Sequence, residues 1–192
     1  SIATRHMVVA AHPLAAEAGR EILRAGGSAV DAAIATQLVL GLVEPQSSGL
    51  GGGAFIVHWD EAAKDLKTYD GRETAPAAAK PDRFLRDGKP MPFDEVMRSG
   101  LSVGVPGVTR ALELAHKRHG KLAWAKLCDP AIRLARDGFP MPRRLHLLLK
   151  AEGAARFSPG ARSFFFDESG APHATGTVIE NPAYAETLKV LA

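Results

Sequence analysis

Residues 29–43, AVDAAIATQLVLGLV, carry one charge, Asp31, and are otherwise apolar nearly all round. A helix without a polar face has to be wrapped by other elements, so this segment predicts a central, buried helix around which the chain is organised. Ser28 is placed to cap it, and Asp31 adds negative charge in the first turn, where the helix dipole favours it. A first helix is predicted just upstream: Pro13 suits a first turn, Leu14, Ala18 and Ile22 recur every four residues, and Gly26 with Gly27 stops it. Before that, MVVAA at 7–11 predicts a short buried strand. A chain of 192 residues that is 46% hydrophobic can bury one solid core, so a single domain over 1–192 is expected. Aromatic residues make up only 6%, which points to helices packed closely through small side chains.

Downstream, AFIVHW and DLKTYD predict two strands joined by a polar turn at 60–64. Residues 74–106 hold five prolines and are expected to be mostly loop with short helical pieces. From Gly107 the period becomes helical, with Val108, Ala111, Leu112 and Ala115 on one stripe and Arg110, Glu113 and Lys117 outside it. Asp129 and Pro130 predict the start of another helix ending at Gly138, and 143–151 a further one. SFFFDESGAPHATGTVIENP predicts two extended pieces around a turn. Asn181 and Pro182 cap a last helix, which reaches Ala192 with no stop signal and with Leu188 and Leu191 still needing cover. The chain is therefore expected to be cut short.

Several function classes are excluded. The net charge of +3 is modest, and the basic clusters at 80–89 and 143–150 are not interleaved with stacking aromatics, so no nucleic-acid partner is expected. No apolar run approaches the roughly 20 residues of a membrane span. The single cysteine, Cys128, rules out an internal disulfide and is expected to be a small apolar filler at a helix start. His116 and His119 have metal-like spacing on a helix, but no third ligand is evident. A solvated helix face is the expectation there, and no metal or cofactor site is assigned.

The glycine-rich stretch EPQSSGLGGGAFIVHW, 44–59, raises the question of a phosphate cradle. Both the P-loop and the dinucleotide fingerprint need a strand before the loop and a helix after it, because the helix N-terminus holds the anion. Here a helix precedes, a strand follows, and the next lysine is Lys64. The glycines at 49–53 are instead expected to make a tight helix-to-strand corner, through positive φ and close backbone approach, leading into a core strand. Ser47, Ser48 and Thr74 are polar loop groups with no identifiable base.

TYDGRETAP, 68–76, places Arg72 where a strand ends and Gly71 frees the backbone. A guanidinium at a strand exit suits bidentate capture of a carboxylate. The alternative is an ordinary salt bridge with Asp70 or Glu73.

HPLAAEAGREILRAGGSAVDAAIAT, LVEPQSSGLGGGAF, YDGRETAP, SVGVPGV and PAIRLARDGFPM, in that order, resemble the large subunit of γ-glutamyltranspeptidases over nearly the whole chain. Ser28 stands where many members have asparagine, another capping residue. The resemblance implies an α+β fold of the N-terminal-nucleophile (Ntn) hydrolase type, an αββα sandwich of which this chain is an incomplete, helix-rich N-terminal portion. It implies a precursor that cuts itself into two subunits. The small subunit's new N-terminal threonine attacks the γ-glutamyl carbonyl, and its own α-amine serves as base. The implied partners are that small subunit, a γ-glutamyl donor such as glutathione, and water or an acceptor amino acid or peptide. No catalytic residue and no cofactor falls in this chain, which alone is expected to be inactive. Arg72 matches the arginine that clamps the donor's α-carboxylate. An N-terminal serine such as Ser1 is a conceivable nucleophile in such a fold, but these residues match the start of the large subunit. Members are often periplasmic or secreted. The alternatives are a related cephalosporin (glutaryl) acylase or poly-γ-glutamate depolymerase, or a catalytically dead homologue acting as a binding module.

Overall fold

The apolar helix is the core of the first of two compact units in a computed structural model that describes residues 3–192. One unit runs to Gly49 and resumes at His116; the other is Leu50–Ala115. In chain order the elements begin with α1 (Pro13–Arg24), α2 (Ala29–Val43), β1 (Ala54–Asp60), β2 (Asp65–Gly71), β3 (Leu85–Arg86) and β4 (Lys89–Pro90). They continue with α3 (Phe93–Arg98), α4 (Val108–His119), α5 (Trp124–Asp137), β5 (Phe139–Pro140), α6 (Arg143–Glu152), α7 (Pro159–Phe165), β6 (Val178–Ile179) and α8 (Pro182–Leu191). The strands pair antiparallel as β1 with β2, β3 with β4 and β5 with β6. Ser1 lies outside the described residues.

In the first unit α2 buries Ile34, Ala35, Leu38, Val39, Leu42 and Val43 against α1 and α5, and α8 packs on α5. Each buried leucine or isoleucine adds roughly 1.5–3 kcal/mol over its exposed state. The helices approach closely because the facing residues are small. A Cβ on Gly19 of α1 would lie 3.2 Å from the Ala32 carbonyl oxygen of α2. Gly41 leaves room for the Tyr184 ring, whose hydroxyl donates to the Leu38 carbonyl at 2.8 Å. Leu188, expected to need cover, is fully buried within this unit.

Asp31 does more than charge the first turn. It completes a capping box: Ser28 Oγ accepts from the Asp31 amide at 3.0 Å, and Asp31 Oδ2 accepts from the Ser28 amide at 2.8 Å. The same oxygen accepts from the amides of Lys121 and Leu122 at 2.9 and 3.1 Å, so a fully buried carboxylate ties the start of α2 to the link before α5. His116 closes the cluster rather than lying on a solvated face. Its Nε2 donates to the Leu122 carbonyl at 2.8 Å, 3.6 Å from Asp31 Oδ1, and its ring meets Trp124 edge-on.

Four expectations are corrected. Residues 7–11 form no strand: nothing among the described residues pairs with them, and Val9 is 83% exposed. Helix α5 starts at Trp124, well before Asp129, with Pro130 inside it. Burial of Leu127, Cys128, Ala131 and Ala135 along one face outweighs the lost amide of the proline. Residues 163–165 are helical because Ser158 caps α7, its Oγ accepting from the Ala161 amide at 3.4 Å, with Pro159 at the first position. Strand β1 is not a core strand here: Phe55, Val57 and Trp59 are all exposed on one face of the β1–β2 ribbon.

Asp31→Ala removes the capping carboxylate and leaves three backbone donors, those of Ser28, Lys121 and Leu122, without their partner, and should lower stability by about 3 kcal/mol, read from the urea midpoint. His12 caps α1 through Nδ1, which accepts from the Leu14 amide at 3.2 Å. Burial holds its imidazole below the ordinary value of 6.5, against the opposing pull of Glu44. The unfolded chain therefore binds this proton more readily, so stability is lost as pH falls below that value. The melting temperature should drop between about pH 7.5 and about pH 5.5, and His12→Asn, which keeps a cap but does not titrate, should flatten that dependence.

Candidate functional site

In the second unit, β1 and β2 pair from Asp60↔Asp65 to Ala54↔Gly71, and Arg72 is the first residue beyond the ladder. Its backbone is pinned on both sides. The Arg72 amide donates to Asp70 Oδ1 at 2.9 Å, and two residues on Thr74 bridges to Val105, with amide–carbonyl distances of 2.9 and 3.4 Å. Arg72 and Glu73 thus span the short gap between two anchored points.

The glycine loop closes the other side of this gap. The Gly52 carbonyl accepts from the amides of Gly107 at 3.2 Å and Val108 at 3.1 Å, satisfying donors that the first turn of α4 cannot pair within the helix. This brings three glycines into contact no side chain would allow. A Cβ on Gly53 would lie 2.7 Å from the Gly71 carbonyl oxygen and 2.9 Å from Arg72 Cα. One on Gly71 would lie 2.6 Å from the Ala111 Cβ, and one on Gly107 would meet the Gly71 carbonyl and lie 3.0 Å from the Arg72 oxygen. None of the glycines at 49–53 has positive φ, so that part of the expected corner is corrected: close approach alone explains the ones in contact.

Arg72 opens onto a cleft of about 640 Å³ lined also by Glu73, Thr74, Lys80, Arg83 and Phe84. Its side chain is 57% exposed, with Nη1 2.8 Å from Glu73 Oε2. Among the described residues Glu73 is the one side-chain partner of Arg72. Arg83 is engaged by backbone, donating to the carbonyls of Leu101 at 2.6 Å and Gly100 at 3.5 Å. The salt bridge with Glu73, the alternative weighed for Arg72 from the sequence, is present, whereas Gly104 and Arg83 escaped the sequence analysis. The available signal was the recurrence of glycine in each of GLGGG, DGRE and SVGVPG.

The remaining candidates are structural. Cys128 is buried, and desolvation, with Asp129 nearby, pushes its thiol up to about 11. Glu44, also buried, is held by Gln46 at 2.5 Å and Arg144 at 3.2 Å. Among the described residues no group of three or more His, Cys, Asp or Glu is placed to hold a metal, and no helix is long and apolar enough to cross a membrane.

The backbone superposes on a gamma-glutamyltranspeptidase of Helicobacter pylori with a TM-score of 0.91 and 31% identity, over 98% of this chain and 54% of that one. A cephalosporin acylase from Bacillus halodurans gives 0.75 and 29%, over 99% and 37%. The class so defined is the Ntn hydrolases, of which this chain is a helix-rich α+β portion. Residues 15–192 match the gamma-glutamyltranspeptidase family, and the chain belongs to it as the N-terminal part of the large subunit. A curated relative, a glutathione hydrolase proenzyme of Bacillus subtilis, is 40% identical over 96% of this chain. The chain spans about a third of that relative's length, 32%.

Gly107→Ala forces a methyl group against the Gly71 peptide, with backbone rather than a pliable side chain in the way. It should cost about 1–3 kcal/mol, measured as a lowered unfolding midpoint, whereas Gly51→Ala, with open space at its Cβ, should cost much less.

Proposed function

We propose that the complete protein transfers or hydrolyses γ-glutamyl groups of glutathione and similar amides, and that residues 1–192 serve as one domain of its large subunit. In this proposal the precursor cleaves itself, and the N-terminal threonine of the small subunit forms an acyl-enzyme that water, an amino acid or a peptide then resolves. This chain supplies scaffold and Arg72, which binds the α-carboxylate of the γ-glutamyl donor. The observation that carries the proposal is the pose of Arg72, with a backbone fixed by Asp70 and an exposed side chain that lines a cleft; a guanidinium there suits bidentate capture of a carboxylate. The names of the relatives, a glutathione hydrolase proenzyme and a gamma-glutamyltranspeptidase, support the donor class and the processing.

The likeness to a cephalosporin acylase favours one second proposal, a glutaryl-type amide as donor. Turnover of glutathione against a glutaryl amide by the complete enzyme separates the two.

Arg72→Lys replaces a planar fork with a point charge. In the complete enzyme it should reduce kcat/KM for a γ-glutamyl anilide by about 2–4 kcal/mol of transition-state stabilisation, roughly 30- to 1,000-fold. An unchanged kcat/KM removes Arg72 from the site.

A further inference from the structure

Beyond Arg72, the cleft is lined by a second pair of cations. Three of its lining side chains are positively charged, Arg72, Lys80 and Arg83, against one carboxylate, Glu73. Glu73 is engaged by Arg72 at 2.8 Å, so Lys80 and Arg83 have no counter-charge of their own in the cleft. Their backbones are fixed relative to each other. The Arg83 amide donates to the Lys80 carbonyl at 3.1 Å, closing a turn with Pro81 at its second position. The ends of such a turn lie within about 7 Å of each other. Asp82, inside the turn, does not line the cleft. Arg83 is steered further by backbone alone, since its Nε and Nη2 donate to the Leu101 and Gly100 carbonyls at 2.6 and 3.5 Å. The single helical turn Gly100–Ser102 that presents them is itself held: Ser99 Oγ accepts from the Leu101 amide at 3.2 Å, and Ser102 Oγ donates to the Ser99 carbonyl at 3.0 Å. Carbonyl oxygens orient a guanidinium without neutralising it, so its charge remains to be met by an anion.

We propose that Lys80 and Arg83 form a second anion subsite in this cleft, which takes the C-terminal carboxylate of a γ-glutamyl peptide and so favours donors with an anionic leaving peptide over neutral amides. This rests on the proposed function, in which Arg72 takes the carboxylate at the other end of the same donor. A γ-glutamyl peptide carries one carboxylate at each end, and two separate cationic positions in one cleft match that charge pattern. The volume, about 640 Å³, lies within the range of about 300–1,000 Å³ usual for small-ligand sites. Between the charges the wall is apolar, with Pro76, Pro81 and the half-exposed Phe84 available to the stem of a peptide. Two like charges held at the ends of one turn repel each other, and an anion between them relieves that repulsion. Because the turn and the two carbonyls already order Arg83, less ordering remains for binding.

The test compares two donors in the complete, self-processed enzyme: glutathione, and glutathione whose C-terminal carboxylate is converted to the carboxamide. Initial rates of glutamate release are measured without added acceptor, and the readout is the ratio of kcat/KM for the acid to that for the amide. The wild type should prefer the acid by about tenfold, chiefly through KM, and added salt should shrink that preference. Lys80→Gln and Arg83→Gln should each lower the ratio by about threefold, and Lys80→Glu should bring it to about one or below. A merely structural role for either residue lowers both donors together and leaves the ratio where it was. An unchanged ratio in the Lys80 variants, or a wild type with no preference for the acid, would overturn the proposal. Should Arg83→Gln fail to self-process, the two variants of Lys80, an exposed turn residue, decide the outcome. Arg72→Lys should lower both donors alike. If it leaves both untouched, the reading of Arg72 fails, while the acid-to-amide ratio still reports separately on Lys80 and Arg83.

Discussion

One carbonyl oxygen organises the candidate site. The Gly52 oxygen accepts the first amides of α4, and for it to reach them the backbones at Gly53, Gly71 and Gly107 must lie nearly in contact. A helix start always leaves amides without intrahelical partners. Where most helices recruit a side chain, α4 uses a peptide group from a distant loop. That choice removes all freedom from the segment running between the loop and the helix, and Arg72 lies on it. The arginine is held by the requirement that three peptide planes pack without side chains, together with the Asp70 carboxylate and the Thr74–Val105 bridge. A binding group on such a support needs few contacts of its own, which is why Arg72 can be both well placed and open.

The first unit solves a different problem with similar means. Its central helix has no polar face, so its neighbours must come close on every side, and Gly19, Gly41 and the many alanines make that possible. The one charge in that helix, Asp31, is buried at its start, where its carboxylate accepts from three backbone amides. A buried carboxylate is costly unless paired, and here Oδ2 takes three amides and fixes the link leading to α5, while Oδ1 has no hydrogen bond and faces His116 Nε2 at 3.6 Å. Small residues around a single buried charge account for a helical core built with very few aromatics.

Most helices were legible in the residues because their signals are local: a cap, a period of 3.6, a terminal glycine. The errors came where a local signal met a tertiary one. Pro130 reads as a helix start, yet α5 runs through it because four residues of its buried face gain more from packing than one missing amide loses. MVVAA has the composition of a buried strand, but a strand exists only where another backbone offers partners. His116 looked like a surface residue because its partners, Leu122 and Asp31, are brought to it by the fold.

The sequence by itself determined the apolar helix and its cap, the hairpin that ends at Gly71, the position of Arg72 just past it, and the family pattern of the glycine motifs. Each of these depends on neighbours within a few residues, or on motif order along the chain. Only the tertiary structure decided why the glycines are there and what stands beside the arginine. Close approach of Gly53, Gly71, Gly104 and Gly107 joins segments that are distant along the chain, and steric exclusion between such segments leaves no trace in local periodicity.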